Sequence, residues 1–303
     1  MTGAHPILPA TTPRNHAGMT LIELMIAMLL GLIAIGGMLG IFLAGNETSR
    51  RTDDLARIQE NARIALELMG RSLREAGGNA CGVLPDKIDL TPGIREDDWW
   101  TGSANFKNAV RGYGPADAFP AHGSVTKASN SDAFIAISAS AGTTTVTSNS
   151  PLRVHNFQGL TSTALFGCNN STGVGFIFKL NAPPTTNTLA VTLPQPINTV
   201  ARLSPEAWFV GENGRDGTSL YRTGIDGVPE EIAPDITAMQ ILYLLPEADD
   251  YVPASGIADD DWPKVVAAQI QITLARTAGP GPGASTIARN ITQTVMLRNR
   301  STL

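Results

Sequence analysis

Glu23 is the residue least like ordinary surface chemistry. It heads residues 24–45, 22 positions without a charge, and the next cation downstream is Arg50, ~40 Å further along a helix axis. A carboxylate in an apolar helix costs about 2.5–3.5 kcal/mol near a bilayer centre unless it is paired. Glu23 therefore reads as functional, either protonated or held by a cation. Cys81 and Cys168 are the only thiols, and neither sits in a C-x-x-C redox pair. The histidines offer little: His5 and His16 precede the apolar run, and His122 and His155 lack ligand spacing or a nearby acid. No G-x-S-x-G elbow occurs. Gly279-Pro280-Gly281-Pro282-Gly283 is no phosphate loop, because its prolines remove N–H donors and no helix follows. Asp249-Asp250 and Asp259-Asp260-Asp261 have the oxygen chemistry for calcium without EF-hand spacing, and read as a solvated acidic loop. Trp99-Trp100 reads as packing beneath a loop. No catalytic residue, metal site or cofactor is expected.

The elements that position these groups come in four stretches. Residues 1–18 are polar, hold three prolines and include Arg14. Residues 19–45 form a helix long enough to cross a hydrocarbon core. Arg14 on its N-terminal side places the N-terminus in the cytoplasm and the rest of the chain across the membrane. The run exceeds the ~7–15 residues of a cleaved signal core, and no A-x-A site follows it. Residues 46–78 continue as an amphipathic helix: Leu55, Ile58, Ala62, Ala65, Met69, Leu73 and Ala76 step by three or four. The charges between them read as a solvated face. Gly77-Gly78 ends the helix, since glycine tolerates the left-handed position after a C-cap.

Residues 79–303 read as one β-rich body, giving an α+β fold. Strands are expected at 133–138, 143–147, 174–180, 189–193, 207–210, 219–222, 237–245, 265–275 and 291–297. The alternation of Gln269, Gln271 and Thr273 with Ile270, Ile272 and Leu274 is the period of a half-buried strand. Residues 279–283 read as a hairpin loop. Residues 93–130 and 246–262 read as excursions. Ser/Thr-rich stretches at 138–150 and 161–172 fit strand edges, loops or modification sites equally well. The chain carries −5 overall, which argues against a nucleic-acid partner held by bulk charge. In an exported body, Cys81 and Cys168 are expected to form a disulfide.

Gly18-Met19-Thr20-Leu21-Ile22-Glu23-Leu24 ahead of the apolar run resembles the class III signal of type IV prepilins. That resemblance implies a membrane peptidase cutting after Gly18 and methylating the amine of Met19. Residues 1–18 are then a leader, and the helix stays on the mature protein as a pilin spine. Met19 stands where the family usually has Phe. Glu23 becomes the fifth mature residue, and the Met19 amine of its own or a neighbouring subunit becomes its only nearby cation.

A narrower likeness covers the body. The stretch Ile58-Gln59-Glu60-Asn61-Ala62-Arg63-Ile64-Ala65-Leu66-Glu67-Leu68 is similar to the PilW-type minor pilins. So are Arg74-Glu75-Ala76-Gly77-Gly78 with Cys81, Ser219-Leu220-Tyr221-Arg222, Gln240-Ile241-Leu242-Tyr243 and Thr294-Val295-Met296-Leu297-Arg298-Asn299. It implies a low-abundance subunit at the pilus tip that primes assembly for twitching, attachment or DNA uptake. Its partners would be the prepilin peptidase, other minor pilins, the major pilin, the inner-membrane assembly platform and a tip adhesin. J-type secretion pseudopilins share spine and body and remain the runner-up, with a DNA-binding tip subunit behind them.

Overall fold

The computed structural model describes residues 20–81, 87–90, 94, 98–101, 108–120, 123–215, 217–278 and 285–299. The chain forms two compact units, Met1–Asp53 and Asp54–Leu303. One helix, α1 (Leu21–Glu75), contributes to both.

In the first unit, every described residue of α1 is exposed. This part is long and apolar enough to cross a membrane. Gly31, Gly36, Gly37, Gly40 and Gly45 face open space, so no packing among the described residues explains them. Thr48 and Thr52 donate their hydroxyls to the carbonyls of Ala44 and Thr48, each 2.9 Å away. Arg51 pairs with Glu47 at 2.6 Å one turn back.

In the second unit, the stripe read from the sequence is the buried face of α1. Ile58, Ala62, Ala65, Met69 and Leu73 are buried and Leu55 is half-buried. The helix ends where the glycines were read to end it. Gly77 sits at φ 79° and its N–H donates to the Ile137 carbonyl at 2.9 Å. The side-chain amide of Asn299 donates to the carbonyls of Arg74, Glu75 and Ala76, at 3.3–3.4 Å. These are the carbonyls a helix end leaves without intrahelical partners.

Three sheets follow. The first is antiparallel and five-stranded: β2 (Val110–Tyr113), β3 (Ala133–Ser138), β9 (Ser204–Glu212), β10 (Thr218–Thr223) and β11 (Pro229–Pro234), ordered β11-β10-β9-β3-β2. The second has four strands: β12 (Ile236–Leu244), β13 (Val252–Pro253), β14 (Ala267–Ala278) and β15 (Ser285–Met296), ordered β13-β12-β14-β15. The third has six: β1 (Lys87–Leu90), β4 (Thr144–Asn149), β5 (Leu152–Val154), β6 (Ala164–Asn169), β7 (Val174–Lys179) and β8 (Thr199–Arg202), ordered β1-β7-β6-β8-β4-β5, with β1 and β7 parallel.

One core joins α1 to parts of all three sheets, with Trp208, Phe134, Tyr243 and Trp262 among its large side chains. A satellite core lies on the other face of the third sheet. Leu165, Phe176 and Phe178 point into it, while Phe166, Cys168 and Ile177 point toward α1, the alternation that a pleated strand imposes. Trp208 donates its indole N–H to Ser72 Oγ at 3.2 Å and to Glu206 at 3.3 Å. Gly112 is required by packing, because a Cβ there would collide with the buried ring of Tyr243.

Ser131 and Asp132 join the first sheet to the second. Ser131 Oγ accepts from the Met239 N–H at 2.9 Å, and the Asp132 carboxylate accepts from the Ile241 N–H at 2.7 Å. Burial pushes the Asp132 carboxyl above its ordinary pKa, against the Ile241 hydrogen bond and the Lys127 charge. Lys127 donates to the carbonyls of Gly114, Pro115 and Ser131 at 2.8–3.2 Å, and its pKa is lowered, first by desolvation.

The expected strands at 133–138, 143–147, 174–180, 207–210, 219–222, 237–245, 265–275 and 291–297 are present, most with longer bounds. The strand expected at 189–193 is absent. Leu189 is buried in the satellite core, but its segment joins β5 only through the Thr188–Arg153 bridge. The excursions at 93–130 and 246–262 contain β2, β13 and two 3₁₀ turns, Ala254–Gly256 and Asp259–Lys264. The Ser/Thr-rich stretches contain β4 and β6. β14 and β15 pair as the expected hairpin up to Ala278 and Ser285; residues 279–284 lie outside the described residues.

Candidate functional site

The helix start combines a cap with an acid. The Glu23 N–H donates to Thr20 Oγ1 at 3.3 Å and to the Thr20 carbonyl at 3.1 Å, and the Leu24 N–H donates to that carbonyl at 3.2 Å. Thr20 is thus the N-cap and Glu23 the third helical residue, the T-x-x-E spacing of a capping box. Sequence reasoning passed over Thr20, although this spacing was there to find it. A carboxylate in the first turn also sits favourably at the positive end of the helix dipole. Gly18 and Met19 lie outside the described residues.

The cysteines are placed by the body. Cys168 is one of the α1-facing residues of β6, and Cys81 follows the helix end after Asn79, whose side-chain oxygen accepts the Cys81 N–H at 2.9 Å. Asn79 in turn bridges to Ala139. Both cysteines are buried, with Cα atoms 6.2 Å apart and sulfurs at bonding distance, within the range a disulfide spans.

The remaining chemistry-bearing groups do not converge. Asp259 pairs with Arg111 at 2.6 Å and Asp261 with Lys264 at 2.7 Å. Arg111 also lies 5.3 Å from the ring centroid of Trp262, which the same 3₁₀ turn buries edge-on to Tyr243. Among the described residues no group of three His, Cys, Asp or Glu could hold a metal. His155 is exposed, and His122 lies outside the described residues. Trp100 is buried in the main core with Trp99 packed against it.

Residues 13–39 match the prokaryotic N-terminal methylation motif. The match spans Gly18, Met19, Thr20 and Glu23 and the first part of the apolar helix. This motif supports a type IV pilin-like or pseudopilin-like protein, and the apolar helix fits membrane anchoring. Neither the curated proteins nor the solved structures contain a match to the chain.

Proposed function

We propose that this protein is a minor pilin of the PilW type that primes type IV pilus assembly and sits at or near the filament tip. The observation that supports it most is the methylation motif at the head of a helix whose distal part is the central element of a β-rich core. On this reading the peptidase cuts after Gly18, Met19 is methylated, and the body faces the periplasm before the subunit enters the pilus. Glu23 pairs with the Met19 amine of a neighbouring subunit and sets axial register. Other minor pilins, the major pilin, the assembly platform and a tip adhesin are its partners.

The observed cap uses only the Glu23 backbone N–H, but the T-x-x-E spacing gives its side chain a competing role as acceptor for the Thr20 N–H, and one pair of variants separates the two. Glu23→Gln keeps an acceptor for the helix start but loses the charge; Glu23→Leu loses both. Both are expected to be cleaved and membrane-inserted yet absent from sheared pili, measured by N-terminal sequencing and immunoblotting. Normal piliation by Glu23→Gln would leave the carboxylate with a capping role only. Mature protein that still carries residues 1–18 would end the prepilin reading.

A Cys81–Cys168 disulfide belongs to the same proposal. Both cysteines should resist alkylation in periplasmic protein until it is reduced. In the chain-entropy model a loop of this length contributes up to ~4.5 kcal/mol. Alkylation of both cysteines before reduction would show free thiols instead.

A further inference from the structure

The sheet edges of the body are not treated alike. β11 begins and ends in proline and carries Glu230 and Glu231 in ion pairs with Arg222 and Arg215. β13 has two residues, one of them Pro253. β5 has three residues and β1 and β2 have four each. Short length, proline and charge are the devices that stop an edge from recruiting another strand. β15 has none of the first two. It runs 12 residues without proline, in unbroken register with β14 from Met296 to Ser285, and pairs with no other strand among the described residues. An edge of this kind presents unpaired backbone donors and acceptors to any extended chain.

Beside that edge lies a cleft of about 430 Å³ between β15 and α1, lined by Arg63, Leu66, Glu67, Arg74, Thr292 and Gln293. Side chains of a strand laid along β15 would alternate between this cleft and the outer face of the sheet. Arg289 shares the strand face of Gln293 by the same alternation, and Glu60 shares the helix face of Arg63 and Glu67, so the α1 side of the edge carries three arginines against two glutamates. No ion pair among the described residues engages Arg63, Arg74 or Arg289. This basic strip stands out on a chain of net charge −5.

We infer that β15 is a strand-addition site, and that the β15–α1 cleft selects an extended segment of another protein with carboxylates at alternate positions. A second copy of this chain pairing through its own β15 is a poor occupant. No Asp or Glu occurs after Asp261, so self-pairing would bring only arginines to an arginine-lined cleft, and like charges held opposite one another are disfavoured. The inference uses nothing from the N-terminal motif, so it stands or falls apart from the pilin reading.

The test uses the full chain in detergent micelles and a labelled peptide of alternating Val and Glu, matched to the 12 residues of β15. Its counterpart replaces every Glu by Lys. The Val-Glu peptide should bind at least about tenfold more tightly than the Val-Lys peptide. Binding should slow amide exchange at residues 287–296. Arg63→Glu/Arg289→Glu, at two exposed positions, should reverse the preference while circular dichroism and exchange in the core remain unchanged. The inference is overturned by equal affinity for the two peptides, by no binding, or by protection confined to other segments. Self-association that protects residues 287–296 would replace the acidic partner with a second copy. Arg63→Lys/Arg289→Lys should keep the original preference, and its loss would also count against the charge argument.

Discussion

The two parts of α1 differ in what they bury. Residues 24–45 are apolar on every side and bury nothing among the described residues, whereas Ile58, Ala62, Ala65, Met69 and Leu73 form a stripe that is buried in the body. The first kind of helix is suited to an apolar surrounding that the chain does not provide; the second is stabilised by its own body. Hydropathy and periodicity both distinguish them, because the first part is uncharged and apolar all round, whereas the second sets one apolar stripe among charges.

The widest separation between the two should come from methionine truncation. Met69→Ala removes a fully buried side chain and should destabilise the body by ~2–5 kcal/mol. Met38→Ala, at a side chain 70% exposed, should change it by less than ~0.5 kcal/mol. Thermal unfolding followed by tryptophan fluorescence in one detergent measures both. Comparable losses would mean that the apolar stretch packs on something in the chain.

A smaller effect probes the body itself. Asp132→Ala leaves the buried Ile241 N–H without its acceptor, at a cost of ~1–3 kcal/mol. Asp132→Asn keeps an acceptor and should cost far less. The raised carboxyl pKa gives the sign of the pH dependence. A group with a folded pKa above its unfolded value contributes stability that is present below 3.8 and lost as pH rises through the folded value. Wild-type stability should therefore carry a falling component over that window, and Asp132→Asn should remove it, as chemical denaturation at several pH values would reveal. An unchanged pH profile would show that Lys127 and the Ile241 hydrogen bond already offset the burial.

The smallest effect belongs to the exposed start of the polar face. Arg51→Ala breaks the Glu47 pair, both members of which are more than half exposed, and should shift body stability by less than ~0.5 kcal/mol. A salt-independent loss larger than this would mark a contact that the pair alone does not explain.

The helix, its buried stripe, its glycine stop and the longer strands were legible because each has a period or a punctuation residue. Other elements were hidden for identifiable reasons. β6 (Ala-Leu-Phe-Gly-Cys-Asn) is buried on both faces by two different cores, so no polar residue alternates along it. β8 has four residues, too few to establish a period. β11 is framed by prolines, which argue against a central strand and are tolerated here because it is an edge. Residues 189–193 mislead in the opposite sense: Leu-Ala-Val-Thr-Leu alternates, yet Pro194 and Pro196 follow and only Thr188 makes a bridge. At the candidate site, Glu23 announces itself by charge in an apolar setting. Thr20 does not, because a threonine beside a hydrophobic run looks ordinary until its hydroxyl is seen to accept the Glu23 N–H.

The amide of Asn299 that closes the end of α1 lies 225 residues beyond Arg74. A chain emerging from N- to C-terminus thus delivers its helix first and the group that finishes that helix after every described strand. Until residue 299 arrives, the carbonyls of Arg74 and Ala76 lack that donor, while the Glu75 carbonyl keeps the Gly78 N–H at 2.9 Å. The last turn of the helix is therefore closed by a side chain that is made only after β15.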